Sequence, residues 1–150
     1  MEEKIISKNT RLYARSLIGR VRHLMWNVRK KELAPYHISP QQANILFIIY
    51  YLGRKATVGE VTRYSERAIN TISKQMSIME KDGLLKSVRE VPKSNLLKFE
   101  LTEKGLLTFK NSNKLIADKK IMSVLSEGER KQLISLLKRI ISETEKYEPG

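Results

Sequence analysis

The chain of 150 residues contains no cysteine. That one absence removes disulfides, thiol redox sensing, thiolate-ligated zinc and a cysteine nucleophile together. Histidine is nearly as scarce: His23 and His37 are the two, too few for a His-rich metal site. Four prolines and seven glycines, with no low-complexity tract or internal repeat, leave little to interrupt helices. The longest apolar run, Ile45 to Leu52, is eight residues, against the roughly 20 a membrane span needs. No signal-peptide apolar region follows Met1-Glu2-Glu3. These absences predict a protein that is not in the membrane and works in the cytoplasm.

Acidic residues are the remaining shortfall. Sixteen Asp and Glu face 29 Lys and Arg, for a net charge of +13 and a pI near 10.0. A balance this basic suits an anionic partner such as nucleic acid or a membrane surface. The excess is spread along the chain and is not one basic tail: residues 1–35 carry 9 basic against 3 acidic residues, and residues 54–104 carry 11 against 7. A hydrophobic share of 41% is enough for a packed core.

What is present is mostly helical periodicity. From about Asn9 to Leu33, Leu17, Val21, Leu24, Met25 and Val28 fall three and four apart, predicting a long helix with one apolar stripe that needs a mate. It stops at Ala34-Pro35. Ser39-Pro40-Gln41-Gln42 opens a second helix with a capping box and a proline at its first position, and Gly53 ends it. Thr57-Val58-Gly59-Glu60 is another box, starting a short helix to roughly Tyr64. After a break at Ser65 to Arg67, a helix is predicted over Ala68 to Asp82. Ile72, Met76 and Met79 form its inner face, while Asn70, Lys74, Ser77 and Lys81 lie opposite, with Thr71 and Ser73 at the margins.

Leu84 to Arg89 and Leu96 to Leu101 read as two short strands, the second alternating Leu97, Phe99 and Leu101 with Lys98 and Glu100. Pro92-Lys93-Ser94-Asn95 supplies turn chemistry between them. Thr102 then caps a predicted long helix to about Leu125. A third box, Ser126-Glu127-Gly128-Glu129, starts the last helix, whose apolar stripe is Leu133, Leu136, Leu137, Ile140 and Ile141.

A short helix, a tight break, a helix with a polar outer face and a hairpin together suggest a winged helix-turn-helix. There the second helix enters the DNA major groove. Asn70 suits a bidentate contact to adenine, Thr71 a thymine methyl or an acceptor, and Lys74 guanine or phosphate; Lys81 suits the DNA backbone. The ordinary alternative is a solvated helix face, which the hairpin behind it disfavours.

The order Ser39-Pro40-Gln41-Gln42, helix pair, Met79-Glu80-Lys81-Asp82-Gly83-Leu84-Leu85, then Leu101-Thr102-Glu103-Lys104-Gly105 resembles the MarR family of transcription regulators over roughly residues 8 to 147. The resemblance implies a mainly α fold of the α+β winged-helix kind, with six helices and a two- to three-stranded β-wing in an interlocked homodimer. Residues 1–35 and 106–150 would form the helical dimerisation region, and 36–105 the winged helix-turn-helix. Leu17, Val21, Leu24, Leu133, Leu136, Leu137, Ile140 and Ile141 would meet the second copy.

It further implies a cytoplasmic, prokaryotic regulator, most simply a repressor, that binds a pseudo-palindromic stretch of double-stranded DNA. The expected DNA contacts are Ala68, Ile69, Asn70, Thr71, Ser73, Lys74, Ser77 and Lys81 on the helix, and Arg89, Lys93, Ser94, Asn95 and Lys98 on the wing. Two positions depart from the family pattern. Ala68-Ile69-Asn70-Thr71 stands where a Ser-Pro-Ser-Thr-like run is usual, and Lys93 and Asn95 replace the usual Asp-x-Arg brace of the wing. Many relatives release DNA on binding a small aromatic or anionic effector. Arg22, His23, Trp26, Tyr36 and His37 are the candidate lining. No cofactor and no metal are expected.

Two readings from other classes stay in view. One is a winged-helix protein–protein adaptor without specific DNA binding, kept by Ile78 and Leu96, which the pattern leaves exposed, and by the missing wing arginine. The other is an enzyme, which the sequence does not favour: no nucleophile–base pair, phosphate loop or metal spacing is present.

Overall fold

Single side-chain oxygens start most of the helices. The computed structural model describes residue 4, residues 8–89 and residues 96–149. All three predicted capping boxes are closed. The Gln42 backbone N–H donates to Ser39 Oγ at 3.1 Å while the Ser39 N–H donates to Gln42 Oε1 at 3.1 Å, and Thr57–Glu60 and Ser126–Glu129 repeat the exchange. Asn9 and Thr102 cap two more helix starts through one side-chain acceptor each. Each such cap contributes about 1 kcal/mol.

The elements are α1 (Thr10–Leu33), a 3-10 turn (Ala34–Tyr36), α2 (Pro40–Tyr51), β1 (Lys55–Ala56), α3 (Val58–Tyr64), α4 (Ile69–Lys81), β2 (Leu85–Arg89), β3 (Leu97–Leu101), α5 (Glu103–Ser112), α6 (Ile116–Met122) and α7 (Glu127–Lys146). They fall into two compact units, residues 1–114 and 115–150.

In the first unit α2 is the centre, as its all-round apolar character predicts. Ile45, Leu46 and Ile49 are wholly buried, against Leu33 of α1, Val61 of α3, Ile72, Met76 and Met79 of α4, and Phe99 of the sheet. The sheet is antiparallel in the order β1-β3-β2, with Leu85 opposite Leu101 and Arg89 opposite Leu97. β1 was not legible in the sequence: its two residues, paired with Glu100 and Phe99, are too short for any alternation to register.

The long helix expected from Thr102 to about Leu125 is divided. α5 ends at Ser112, Leu115 takes a left-handed conformation (φ 50°), and α6 begins at Ile116. Asn111-Ser112-Asn113 sits at the division, residues whose short polar side chains compete with helical backbone bonds. Counted as one, α5 and α6 leave the predicted order of six helices intact.

In the second unit the Arg130 guanidinium donates to the carbonyls of Leu125 and Met122, closing the turn between α6 and α7. No described residue of this unit is buried.

Candidate nucleic-acid interface

The outward face of α4 is the one the periodicity predicts. Ile72, Met76 and Met79 are fully buried, and Asn70, Thr71, Ser73, Lys74, Ser77 and Lys81 are all exposed, as are Ala68 and Ile69 at the helix start. The Ala68 side chain has no oxygen with which to cap, so no cap side chain satisfies the first N–H groups of α4. Helix starts of this kind attract anions such as phosphate.

The other end of α4 is clamped. Gly83 turns the chain with φ 77°, and the motif Leu101-Thr102-Glu103-Lys104-Gly105 closes on that turn from the far side of the hairpin. Thr102 Oγ1 donates to the Gly83 carbonyl at 2.5 Å, Lys104 Nζ donates to the Asp82 carbonyl at 2.7 Å, and the Thr102 N–H donates to the Leu84 carbonyl at 3.2 Å. Gly105 allows the approach: a Cβ there would lie 2.1 Å from the Leu84 carbonyl oxygen. Ser87 of β2 also donates to the Glu80 carboxylate. The exit motif is thus a mechanical part of the outward-facing helix.

On the hairpin, Arg89 is exposed at the end of β2 and Lys98 is half-buried opposite Val88. Lys93, Ser94 and Asn95, with the Pro92-Lys93-Ser94-Asn95 turn, lie outside the described residues. Leu96 is 59% exposed, whereas Ile78 is half-buried and does not offer the open apolar contact the sequence pattern allowed.

Two cavities flank Trp26, of about 320 and 420 Å³. Arg22 and Trp26 line both, and His23 lines the larger. Tyr36 and His37 line neither. Tyr36 packs against the core, and His37 is the exposed left-handed residue closing the 3-10 turn. Sequence reasoning missed Arg67, which lines both cavities and holds its guanidinium 5.7 Å from the Trp26 ring centroid. It stands in a turn, where periodicity carries no information, and only tertiary packing brings it to Trp26.

No protein-family model matches the chain, and no curated protein matches it. Solved structures do. The organohalide-sensing regulator RdhR bound to 2,4-dichlorophenol superposes with a TM-score of 0.82 at 23% identity, over 91% of this chain and 82% of that one. A mutant MarR of E. coli complexed with operator DNA gives 0.77 at 16% identity, over 92% and 96%. A DNA complex of MepR from S. aureus gives 0.76 at 19% identity, over 85% and 94%. The fold is that of the MarR family.

On this MarR fold the two predicted apolar stripes are open. In the first unit Leu17, Val21 and Leu24 are 41%, 54% and 50% exposed. In the second, Leu136, Ile140 and Ile141 are exposed, and Leu133 and Leu137 are half-buried. No helix among the described residues is long and apolar enough to cross a membrane.

Proposed function

We propose that the protein is a homodimeric transcription regulator, a repressor, that reads a pseudo-palindromic operator in double-stranded DNA. The observation that carries the reading is α4: a continuous polar and cationic face from Asn70 to Lys81, backed by three fully buried side chains and clamped at its far end. In it Asn70, Thr71, Ser73, Lys74 and Ser77 meet base edges, Lys81 and the N–H groups after Ala68 and Ile69 meet phosphate, and Arg89, Lys93, Ser94, Asn95 and Lys98 serve the flanking groove or backbone. The net charge of +13 supplies the non-specific attraction.

Dimerisation follows from exposure. The second unit has no buried residue among those described, so its α7 stripe needs a cover, and the α1 stripe of the first unit needs one too. A second copy offers both, and its two-fold axis gives the operator its palindrome. In this reading residues 1–35 and 106–150 dimerise and 36–105 bind DNA.

Arg22, His23 and Trp26 take a small aromatic or anionic effector that releases the DNA. RdhR, which resembles this chain in fold, was solved with a dichlorophenol. No catalysis and no cofactor enter this reading.

Selection of bound sequences from a random DNA pool tests it. The expected result is a palindrome bound with an affinity that falls steeply with salt. The adaptor reading rests on exposed Leu96. Absence of any salt-sensitive DNA binding would favour it over regulation.

A further inference from the structure

Close to half of the net charge lies on a helix that the DNA-reading face does not include. α1 carries seven basic residues against Glu32 alone, a net +6 of the chain's +13. Residues 69–101, which hold α4 and the hairpin, carry six basic against four acidic, a net +2. α7 is nearly balanced, and its cations are laced to acids a turn away, Lys131 to Glu127 at 3.5 Å and Lys146 to Glu143 at 3.7 Å. On α1 Arg29 is paired with Glu32 in this way. Arg11, Arg15, Arg20 and Arg22 form no ion pair with a described residue.

Their placement is ordered. At about 100° per residue, Arg11, Arg15, Arg22 and Arg29 fall within about 40° of arc, one row along the helix. Arg29 is turned to Glu32 and Ser112, so the open part of the row runs from Arg11 to Arg22, about 16 Å at the helical rise. From Thr10 to Leu24 every residue except Tyr13 is exposed, so this part of α1 stands clear of the core. The row works against the helix that carries it. Arg11 and Arg15 are like charges four residues apart, and the first turn, where the helix dipole favours an acid, holds Arg11 and no acid. An anion from outside the chain relieves both.

We propose that the arginine row of α1 is a second nucleic-acid surface, which holds the phosphate backbone of a duplex without regard to its sequence. It goes beyond the reading of α4 and does not depend on it. A run of about 16 Å spans about five successive phosphates of one strand, and a guanidinium meets phosphate oxygens with two parallel donors. A protein partner would be met differently, because the cores of protein–protein interfaces are poor in charge whereas nucleic-acid interfaces are strongly cationic. A lipid surface needs an apolar face to insert. On α1 that face, Leu17, Val21 and Leu24, is the one assigned to the second copy, and it is centred about 130° around the helix from the row. With α4 on its operator, the row holds another segment of duplex.

The test uses the full-length protein and a random-sequence duplex, with α4 first silenced by Asn70→Ala/Lys74→Ala/Lys81→Ala. Arg22 is left intact because it also lines the Trp26 cavities. The silenced protein is expected to go on binding random duplex with a steep salt dependence. Adding Arg11→Gln/Arg15→Gln is expected to lower the salt slope by about 1.8, the value of two phosphate contacts. Adding Arg11→Lys/Arg15→Lys, which keeps the charge, is expected to leave most of the slope in place, an outcome a merely structural role would not give. In the protein with α4 intact, Arg11→Gln/Arg15→Gln is expected to keep the preference for operator over random DNA. Wild type holding a labelled operator is expected to take up a second, differently labelled random duplex, read as energy transfer between the two, and the same arginine variant to take up little.

An α4-silenced protein that binds no duplex would overturn the proposal, as would a slope that Arg11→Gln/Arg15→Gln leaves unchanged. So would an operator-bound wild type that admits no second duplex, because the arginines would then share one footprint with α4. Phosphatidylserine vesicles that bind the wild type in preference to duplex, and no longer bind Arg11→Gln/Arg15→Gln, would give the row to a lipid surface and overturn it too. Failure of the wild type to prefer any DNA sequence would sink the reading of α4 alone. That case is told apart because the random-duplex titration needs no operator.

Discussion

The Arg29 guanidinium of α1 donates to the carbonyl oxygen of Ser112, the last residue of α5, at 3.1 Å. The same nitrogen donates to Glu32 at 2.7 Å, so the guanidinium is held from its own helix while it reaches across to the other. In an uninterrupted helix the Ser112 carbonyl would accept from the N–H of residue 116. Here Arg29 replaces that donor. Arg29→Met keeps much of the stem but removes the donors, leaving the carbonyl of buried Ser112 without the donor it has here. A loss of about 1–3 kcal/mol is expected, read by urea unfolding at fixed protein concentration. An unchanged midpoint would mean the contact is incidental.

Leu115 carries the other half of that break, with φ 50° in the left-handed region that a bulky side chain rarely adopts. Glycine normally costs about 1 kcal/mol relative to alanine inside a helix. At residue 115 the order should invert, with Leu115→Gly more stable than Leu115→Ala by about 0.5–1 kcal/mol, since only alanine retains a Cβ in that conformation. Thermal unfolding of the two variants side by side decides it, and alanine as the better residue would show a continuous helix.

Gly105 is the tight point of the clamp on α4. A Cβ there would stand 2.1 Å from the Leu84 carbonyl oxygen, a backbone atom that cannot swing aside. Gly105→Ala should therefore cost about 2–3 kcal/mol. It should also weaken operator binding beyond what unfolding explains, because the displaced segment anchors the end of α4. Gly128→Ala, whose Cβ would meet only Ser126 Oγ at 3.9 Å, is the control expected to be near neutral.

Asn70 and Lys81 should fail in different ways. Asn70→Ala should lower the preference for operator over random DNA by about 1–3 kcal/mol, the worth of a bidentate base contact. Lys81→Ala should weaken both DNAs alike and reduce the salt slope by about 0.9. Binding isotherms at several salt concentrations separate the two, and full discrimination by Asn70→Ala would mean that another face reads the sequence.

Glu129 reports on acid stability. Its carboxylate is held below the usual glutamate value near 4.5, chiefly by the Ser126 backbone N–H and then by the Ser126 side chain. A folded-state value below the unfolded one gives a contribution that is complete above the ordinary glutamate range and is lost as pH falls through the folded value. Glu129→Gln keeps an acceptor for the Ser126 N–H at every pH. The difference in stability between wild type and this variant should be constant near neutrality and shift against the wild type below about pH 4.5. A difference that stays flat down to pH 3 would show that the box contributes nothing that titrates.

Local chemistry in the chain was enough to place nearly every helix start and both strands of the hairpin. Capping boxes act within four residues, and apolar spacing expresses a periodicity that belongs to one element at a time. The face of α4 was legible for the same reason, since Ile72, Met76 and Met79 name its inner side and thereby its outer one. What stayed hidden depended on contacts between elements distant in sequence. The division of α5 from α6 draws on Arg29, and the pairing of β1 needs β3.

By itself, then, the sequence determined which segments are helix or strand and which faces are apolar. Tertiary structure alone decided that Thr102, Lys104 and Gly105 grip the end of α4, and that Arg67, two residues ahead of its start, sits on Trp26. The reason is physical: propensity and patterning are sums over neighbours in the chain. A cation over a ring and a carbonyl against a glycine exist only once the core has brought their elements together.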